Sequence, residues 1–577
     1  MSAYKYRPLE DESSIRIVSL RPARSRDAPI IIELGEMRID RSFPCDTLDY
    51  EALSYVWGAK IGDRAIVCEG AYISVTPNCE AALRRLRWET ETRNLWIDAI
   101  CIDQSNTVER STQVSMMDSI YANAKRVLIW LGEHANLEDE HISVTDGLEA
   151  AAVYREAACA AGWTSADNAQ AIMTSPMAWS MRLWTLQELA FAQTAMVVIG
   201  NLEIPWRILC KGRKYLPEHL RAGITSRQLL AGQINTSHRA GRDSTLGMDL
   251  ILERVIKGNA WVQASDDRDY VYGLLGIFRA NGLEVDEPDY SKTAAKVFEE
   301  MTLKLIARTG HIFPMFGTHY QSKPGTLPTW VIDWRINADT ITMKPDWMIS
   351  WDTSTFVEPP DHRQGQLPVY GHLLGEIHQI HYEKFQGDQS HSHLSSLLQR
   401  WTEFAQNTFG RNRTRVLTRN DPSCVELLRI LFQHCRCDVA TLEEEAEAWQ
   451  AWASNNFVDD IFDNDVAFTA DRRQKSVYEL LDLVATQHVP NVLNTPYHFW
   501  VFRLGSGHLG LFAAPEFVDI RKGDEVLVVA GAMAPIIVRP LSDGSYRLGS
   551  PFCVIEGAMY GECWPKDPMA LDSFTLV

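Results

Sequence analysis

Between residues 50 and 201 short apolar runs alternate with amphipathic stretches, and this alternation constrains the fold more than any other feature of the chain. "YEALSYVWG" (50–58) is a short apolar strand ending at Trp57-Gly58, and "NCEAALRRLRWE" (78–89) has the spacing of a helix. "NLWIDAICIDQ" (94–104) is almost continuously apolar, as a strand buried on both faces should be. Asn106 with Glu109 three residues later marks a helix start, and Val114, Met117, Ile120, Tyr121 and Ala124 form one stripe of the helix that follows. "RVLIWLG" (126–132) and "AMVVIGN" (195–201) read as further strands, with the helix "RLWTLQELA" (182–190) between them. Strands that alternate with helices imply an α/β fold with a parallel sheet and right-handed crossovers.

Ligands of such sheets bind beyond the carboxyl ends of the strands. Those ends are expected at Trp57-Gly58, Asp103-Gln104 and Leu131-Gly132. The "RLWTLQELA" helix starts on that side. It places Trp184 four residues ahead of Glu188, so the two share a helix face about 5–6 Å apart at Cβ. An indole wall beside a carboxylate excludes water, raises the carboxyl pKa and offers a ligand ring a flat face. The plainer reading is an amphipathic helix with a structural ion pair between Arg182 and Glu188.

Residues 1–49 hold two strand-like runs, "IRIVSL" and "IIELGEMRI", read as an N-terminal β extension to a domain spanning 50–212. Residues 213–340 are expected to be helical and packed on that domain, and 341–490 mixed but mainly helical. Residues 491–577 carry short β runs separated by turns, expected to form a small antiparallel barrel or sandwich. "DRAIVCEGAYISVTPN" (63–78) reads as a β-hairpin inserted after the first strand.

A net charge of −19 over 577 residues argues against a broad nucleic-acid surface. No run reaches the length of a membrane span, and the N-terminus has no signal-peptide core. The 11 cysteines form no framework and suit free thiols in a reducing cytoplasm. "HCRCD" (His434, Cys435, Cys437) has no second ligand cluster at zinc spacing, so no metal is expected. "GSGHLG" (505–510) spells a dinucleotide fingerprint but precedes strand and loop rather than a helix, so a turn is expected. "DNDVAF" (463–468) lacks the glycine and terminal glutamate of a calcium loop.

"YEALSYVWG", "LWIDAICIDQSNTVERSTQVSMMDSIYANAKRVLIWLG" and "RLWTLQE" resemble, in order, the three signature blocks of the fungal heterokaryon-incompatibility (HET) domain. "SDDRDYVYGLLGI", "PDYSKTAAKVF", "LPTWVIDW" and "GDEVLVVAGAMAPIIVRPL" are similar to segments of long fungal HET proteins. The resemblance covers roughly residues 5–335 and 498–562. It implies a cytoplasmic fungal protein of non-self recognition (allorecognition) and programmed cell death, acting through self-association and through other recognition or cell-death proteins.

HET domains in turn resemble TIR domains, which implies a TIR-like (flavodoxin-like) sheet. "WTLQE" fits the Trp-x-x-x-Glu pattern of NAD-cleaving TIR domains, so the resemblance makes Glu188 the catalytic carboxylate with Trp184 beside it. NAD would be a substrate, and no cofactor is implied. The carboxylate would stabilise the oxocarbenium-like state in which the nicotinamide–ribose bond breaks. By the same analogy Ser54, Tyr55, Trp57, Asp98, Asp103, Gln104 and Arg182 would line the pocket. Each has a plainer role. Tyr55 and Trp57 suit a core, Asp98 a satisfied structural carboxylate, Asp103 a turn cap and Arg182 an ion pair. The alternatives to NAD cleavage are a non-catalytic oligomerising scaffold and a small-molecule enzyme that reuses the pocket. The hairpin at 63–78 and the insertion at 133–178 depart from the TIR pattern and put the pocket mouth and self-association surface in doubt.

Overall fold

The computed structural model describes residues 2–39, 47–58, 64–133, 149–152, 154–155, 179, 182–216, 264–310, 312, 327–335, 365–385, 497–514, 518–532, 534–550, 552–555, 558, 562–567 and 570–577. The chain divides into two compact units, Met1–Lys304 with Trp334–Asn337, and Leu305–Asp333 with Ala338–Val577.

The first unit begins with β1 (Ser14–Leu20), β2 (Ile31–Arg38), β3 (Leu48–Tyr55), β4 (Arg64–Cys68) and β5 (Ala71–Val75). Next come α1 (Pro77–Leu86), β6 (Arg93–Trp96), α2 (Asp98–Cys101), α3 (Thr107–Ser115), α4 (Met117–Asn123) and β7 (Ala124–Trp130). Beyond them lie α5 (Trp184–Ala190), β8 (Ala195–Ile199), β9 (Leu202–Pro205), α6 (Trp206–Gly212), α7 (Asp269–Tyr272), α8 (Leu275–Ala280) and α9 (Ala294–Thr309), the last of which spans the division at Lys304.

Nine of these strands form one sheet in the order β5-β4-β2-β1-β6-β3-β7-β8-β9. Its centre, β6-β3-β7-β8, is parallel throughout. In chain order these are the second, first, third and fourth strands, so the winding reverses at the β3–β7 seam. The central strands are buried on both faces, with Ala52, Leu53, Trp96, Val127, Leu128 and Ile129 all within the core. β1 and β2 extend this sheet as an antiparallel pair, β1 lying against β6. The expected hairpin at 63–78 is present as β4 and β5. Its Glu69-Gly70 turn has φ of 50° and 80°, the mirror-image geometry whose twist suits a two-residue hairpin.

The helix start expected at Asn106 is present. Thr76 accepts the amide of Cys79 at the start of α1, and Asn106 accepts the amides of Val108 and Glu109 at the start of α3. Glu109 does not reach back to its cap. It binds the Asp103 amide at 2.8 Å and Arg16. In the predicted stripe Met117, Ile120, Tyr121 and Ala124 are buried, and α4 lies on β3 and β7.

The strand expected over 94–104 is corrected. β6 ends at Trp96 and the chain turns at once into α2. The run is apolar because a buried helical turn continues a buried strand, and period alone does not separate the two.

In the second unit β10 (Leu367–Phe385), β11 (Tyr497–Leu504), β12 (Leu509–Ala514), β13 (Glu525–Val529), β14 (Ile536–Pro540), β15 (Tyr546–Ser550), β16 (Val554–Ile555) and β17 (Asp572–Leu576) pair in the order β13-β14-β15-β17-β10-β11-β12-β16. β10 also pairs with β13, which closes a circuit of five strands. All pairings are antiparallel except β15 with β17. The 19-residue strand β10 supplies the β part of the region expected to be mixed. "GSGHLG" forms the turn between β11 and β12, with Gly507 at φ 99°. "HCRCD", "DNDVAF" and the remaining helices expected over 395–490 lie outside the described residues. Among the described residues no helix is long and apolar enough to cross a membrane, and no group of three His, Cys, Asp or Glu side chains is placed to hold a metal.

Candidate functional site

The carboxyl end of β3 carries Ser54 and Tyr55 as its last two residues, and both are buried. β7 ends alongside, with Tyr55 in register with Trp130. The candidate residues gather around this seam in two clusters.

The first cluster contains Glu188. α5 packs against α4, which brings the far end of α5 to the tip of β3. There the Ser54 hydroxyl donates to Glu188 Oε2 and accepts the Trp179 indole N–H at 2.7 Å. Glu188 and Ser54 are each 1% exposed. Tyr121 donates to the Leu53 carbonyl at 3.2 Å, and its phenol is pushed well above its ordinary range by burial first and by the Glu188 charge second. Glu188 is therefore a desolvated carboxylate held by a hydroxyl that an indole orients in turn.

Trp184 stands apart from this cluster. Its indole N–H points to Asp269 Oδ2 at 3.4 Å, and the ring is half-buried. The two members of the Trp-x-x-x-Glu pair share a helix, but their polar atoms engage different partners.

The second cluster surrounds Asp98, at the first position of α2 directly beyond β6. Asp98 is buried. It accepts the Trp57 indole at 2.8 Å and the Ala99 amide at 2.7 Å. Burial raises its carboxyl above the usual range, against the pull of the Arg182 charge and these two donors. Arg182 donates to the Tyr55 carbonyl. The guanidinium thus ties the approach to α5 to the tip of β3 while its charge acts on Asp98.

Six of the nine sequence candidates meet here, Ser54, Tyr55, Trp57, Asp98, Arg182 and Glu188, while Trp184 shares the helix of Glu188 but turns to Asp269. Asp103 and Gln104 were expected at a strand end and are not there, because β6 stops at Trp96. Asp103 accepts the Ser105 amide at 3.0 Å and the Ser105 hydroxyl at 2.6 Å, which makes it a turn cap. Gln104 donates to the Asp98 carbonyl at 3.0 Å and braces the loop.

The family-model comparison decides what this arrangement belongs to. Residues 50–188 match the family described as "Heterokaryon incompatibility protein (HET)". The chain carries a HET domain. The matched residues run from Tyr50, the third residue of β3, to Glu188 itself. Among curated proteins the HET-domain chain is 26% identical over 369 residues to heterokaryon incompatibility protein 6, OR allele, of Neurospora crassa. That alignment covers 49% of the HET-domain chain and 53% of the relative, so the chain spans about half the length of the curated relative it matches. No solved structure matches it.

Sequence reasoning missed three residues around the HET site: Trp179, Gln187 and Asp269. Trp179 lies five positions ahead of Trp184 and carries no pattern of its own. Gln187 sits inside the quoted motif, where its side chain takes the Gly276 amide at 3.0 Å. Asp269 belongs to "SDDRDYVYGLLGI", which the family resemblance includes but to which no role attaches.

Proposed function

We propose that this HET-domain chain acts in heterokaryon incompatibility, the process its Neurospora relative is named for, as a cytoplasmic protein of non-self recognition and cell death. We infer further that its output is cleavage of NAD. In that reaction the bond between nicotinamide and C1′ of the ribose breaks, water supplies the oxygen that bonds to C1′, and nicotinamide, ADP-ribose and a proton are released. The observation that supports this reading is the position of Glu188. It reaches the tip of β3 beside β7, at the seam where the winding of the parallel strands reverses, and ligands of open α/β sheets bind at such seams. The second-first-third-fourth strand order supports the likeness to flavodoxin-like sheets, and through it to TIR domains.

In the reaction the Glu188 carboxylate stabilises positive charge growing on the ribose and accepts hydrogen bonds from its hydroxyls. Nicotinamide leaves without a protonating acid, so one carboxylate suffices. Ser54 holds Glu188 in the resting chain, and the carboxylate is 1% exposed. Catalysis therefore requires the Ser54–Glu188 contact to open, and self-association supplies the energy for that step.

The same burial favours a second reading, in which Glu188 is structural and the HET domain is an oligomerising scaffold. One assay separates the two. Purified chain is incubated with NAD at concentrations that drive assembly, and nicotinamide is followed. Glu188→Gln keeps the shape and removes the charge, so the NAD reading expects release from the wild type and at least a roughly hundredfold loss in the variant, about 2.7 kcal/mol of transition-state stabilisation. Release that survives the substitution excludes Glu188 as the catalytic group. Silent wild-type oligomers favour the scaffold.

A further inference from the structure

The HET match ends at Glu188, but the helix that carries Glu188 is gripped by residues that lie well beyond it. Three consecutive features of the 266–290 segment engage three positions of 183–187. Leu183 packs against Gly273 so closely that a Cβ at 273 would sit 2.9 Å from Leu183 Cδ2. Trp184 donates its indole N–H to Asp269 at 3.4 Å. Gln187 accepts the buried amide of Gly276 at 3.0 Å, and a Cβ at 276 would lie 2.7 Å from both Gln187 Oε1 and Asp118 Cβ. In "DYVYGLLG" the missing Cβ at 276 lets the segment sit against Asp118 and Gln187, and the one at 273 leaves room for the end of Leu183.

The gripping segment is itself fixed from behind. Tyr290 donates to Asp269 Oδ1 at 2.7 Å, and Tyr272 donates to the Asp289 carbonyl at 2.8 Å. The Tyr290 ring lies between two guanidinium groups, Arg110 of α3 at 4.3 Å and Arg268 at 5.1 Å from its centroid. Asp266 holds Arg268 through two hydrogen bonds of 2.8 and 2.5 Å. At the far end Arg279 binds Asp118 of α4 at 2.8 Å. Two of these ties reach elements within residues 50–188: Arg110 of α3 at the Tyr290 ring and Asp118 of α4 at Arg279.

We propose that residues 266–290 are a positioning clamp for the Glu188 helix. Asp269 and Tyr290 set its first turn, and Gly276 sets its last turn through Gln187. The clamp fixes where the Glu188 carboxylate stands relative to Ser54, and releasing it lets α5 shift. The proposal rests on the Glu188 reading only where it concerns catalysis; the grip on α5 is independent of it.

The test uses the full chain and two mild variants. Tyr290→Phe keeps the ring between the two arginines and removes the hydroxyl that orients Asp269. Gln187→Ala removes the acceptor of the Gly276 amide. Hydrogen exchange of the amides of 184–190 should speed up about threefold to tenfold in each variant, the factor expected for losing about one net hydrogen bond. Peptides from β1 and β2 should exchange as in the wild type, which separates a local release from general loss of stability. Exchange across 184–190 within about twofold of wild type in folded Tyr290→Phe overturns the clamp, and that variant decides alone if Gln187→Ala does not fold. If the wild type releases nicotinamide, both variants should lower kcat with KM little changed; a changed KM at constant kcat also overturns the proposal. Faster exchange in a chain with no NAD cleavage upholds the clamp and removes the NAD reading.

Discussion

At the scale of single residues the site is a set of buried polar groups that depend on one another. Glu188 has the Ser54 hydroxyl, and Ser54 has the Trp179 indole. Removing one member leaves another desolvated and short of a partner, which costs more than the bond itself. Ser54→Ala should therefore destabilise the chain by about 1–3 kcal/mol in urea unfolding at pH 7. The loss should largely vanish in the double variant with Glu188→Gln, which no longer buries a charge. Equal losses in the single and double variants would show that the pair is not coupled.

Asp269 makes a residue-scale prediction about pH. Burial lifts its carboxyl to about 6, Asp266 pushes the same way, and the Tyr290 hydroxyl, the Trp184 indole and the Arg110 charge pull against them. A carboxyl whose folded pKa lies above its unfolded value binds its proton more tightly in the folded chain. Its contribution is fully present below about pH 4, falls as pH rises through about 6 and stays low above it. Two units correspond to about 3 kcal/mol. Glu51 and Asp266 are shifted the other way, because the Arg93 and Arg126 side chains bind one and Arg268 the other. The measurement is thus a difference: wild-type stability minus that of Asp269→Asn should fall between pH 4 and 6. A flat difference would place the Asp269 carboxyl in its ordinary range.

The elements explain which parts of the fold could be read from the sequence. The central strands and the helices between them were legible because each is uniformly buried or cleanly amphipathic. The cap at Asn106 is a local signal and acts locally. What failed to read was non-local. β6 and α2 run together as one apolar stretch because both are buried. β10 hides its alternation because its pairing slips twice, between Leu373 and Gly375 and between Ile377 and Gln379. Leu367, Val369 and Gly371 face inward in one phase, Leu374 in the opposite one and Ile377 in the first again, so no unbroken period of two survives. Most of the nine candidate residues lie near one another because they flank strand ends and one motif, and those are local signals. The clamp was not found, because nothing in "DYVYG" says which helix it grips.

The glycine at 276 carries an element-scale prediction. Gly276→Ala puts a methyl group where Asp118 Cβ and Gln187 Oε1 already stand; the glutamine end can swing aside, but a Cβ moves only with its helix. Overpacking of this kind costs about 1–3 kcal/mol. Alanine at the exposed Gly70 turn position meets no neighbour but must adopt φ of 80°, so its cost comes from backbone strain alone. Denaturant melts of the two variants should differ in one respect: only Gly276→Ala should also loosen amide protection across α5. Equal protection in both would mean that the glycine is not the contact that seats the helix.

At the scale of the whole molecule, the proposed NAD cleavage must be reconciled with a buried carboxylate, and assembly is the step that does so. Under that proposal, a chain whose Glu188 is 1% exposed should not cleave NAD at a constant rate per molecule. If neighbouring copies supply the energy that separates Ser54 from Glu188, nicotinamide release per mole of chain should rise with chain concentration and level off when assembly is complete. The net charge of −19 adds a second handle. Like-charged copies repel, and salt screens that repulsion with a Debye length near 8 Å at physiological ionic strength. The concentration for half-maximal activity should therefore fall as salt is raised from about 0.05 to 0.3 M, while the plateau rate stays the same. Analytical ultracentrifugation on the same samples must show the oligomer appearing over the same range. Activity strictly proportional to concentration, with a sedimenting monomer throughout, would mean that a single chain opens its own site.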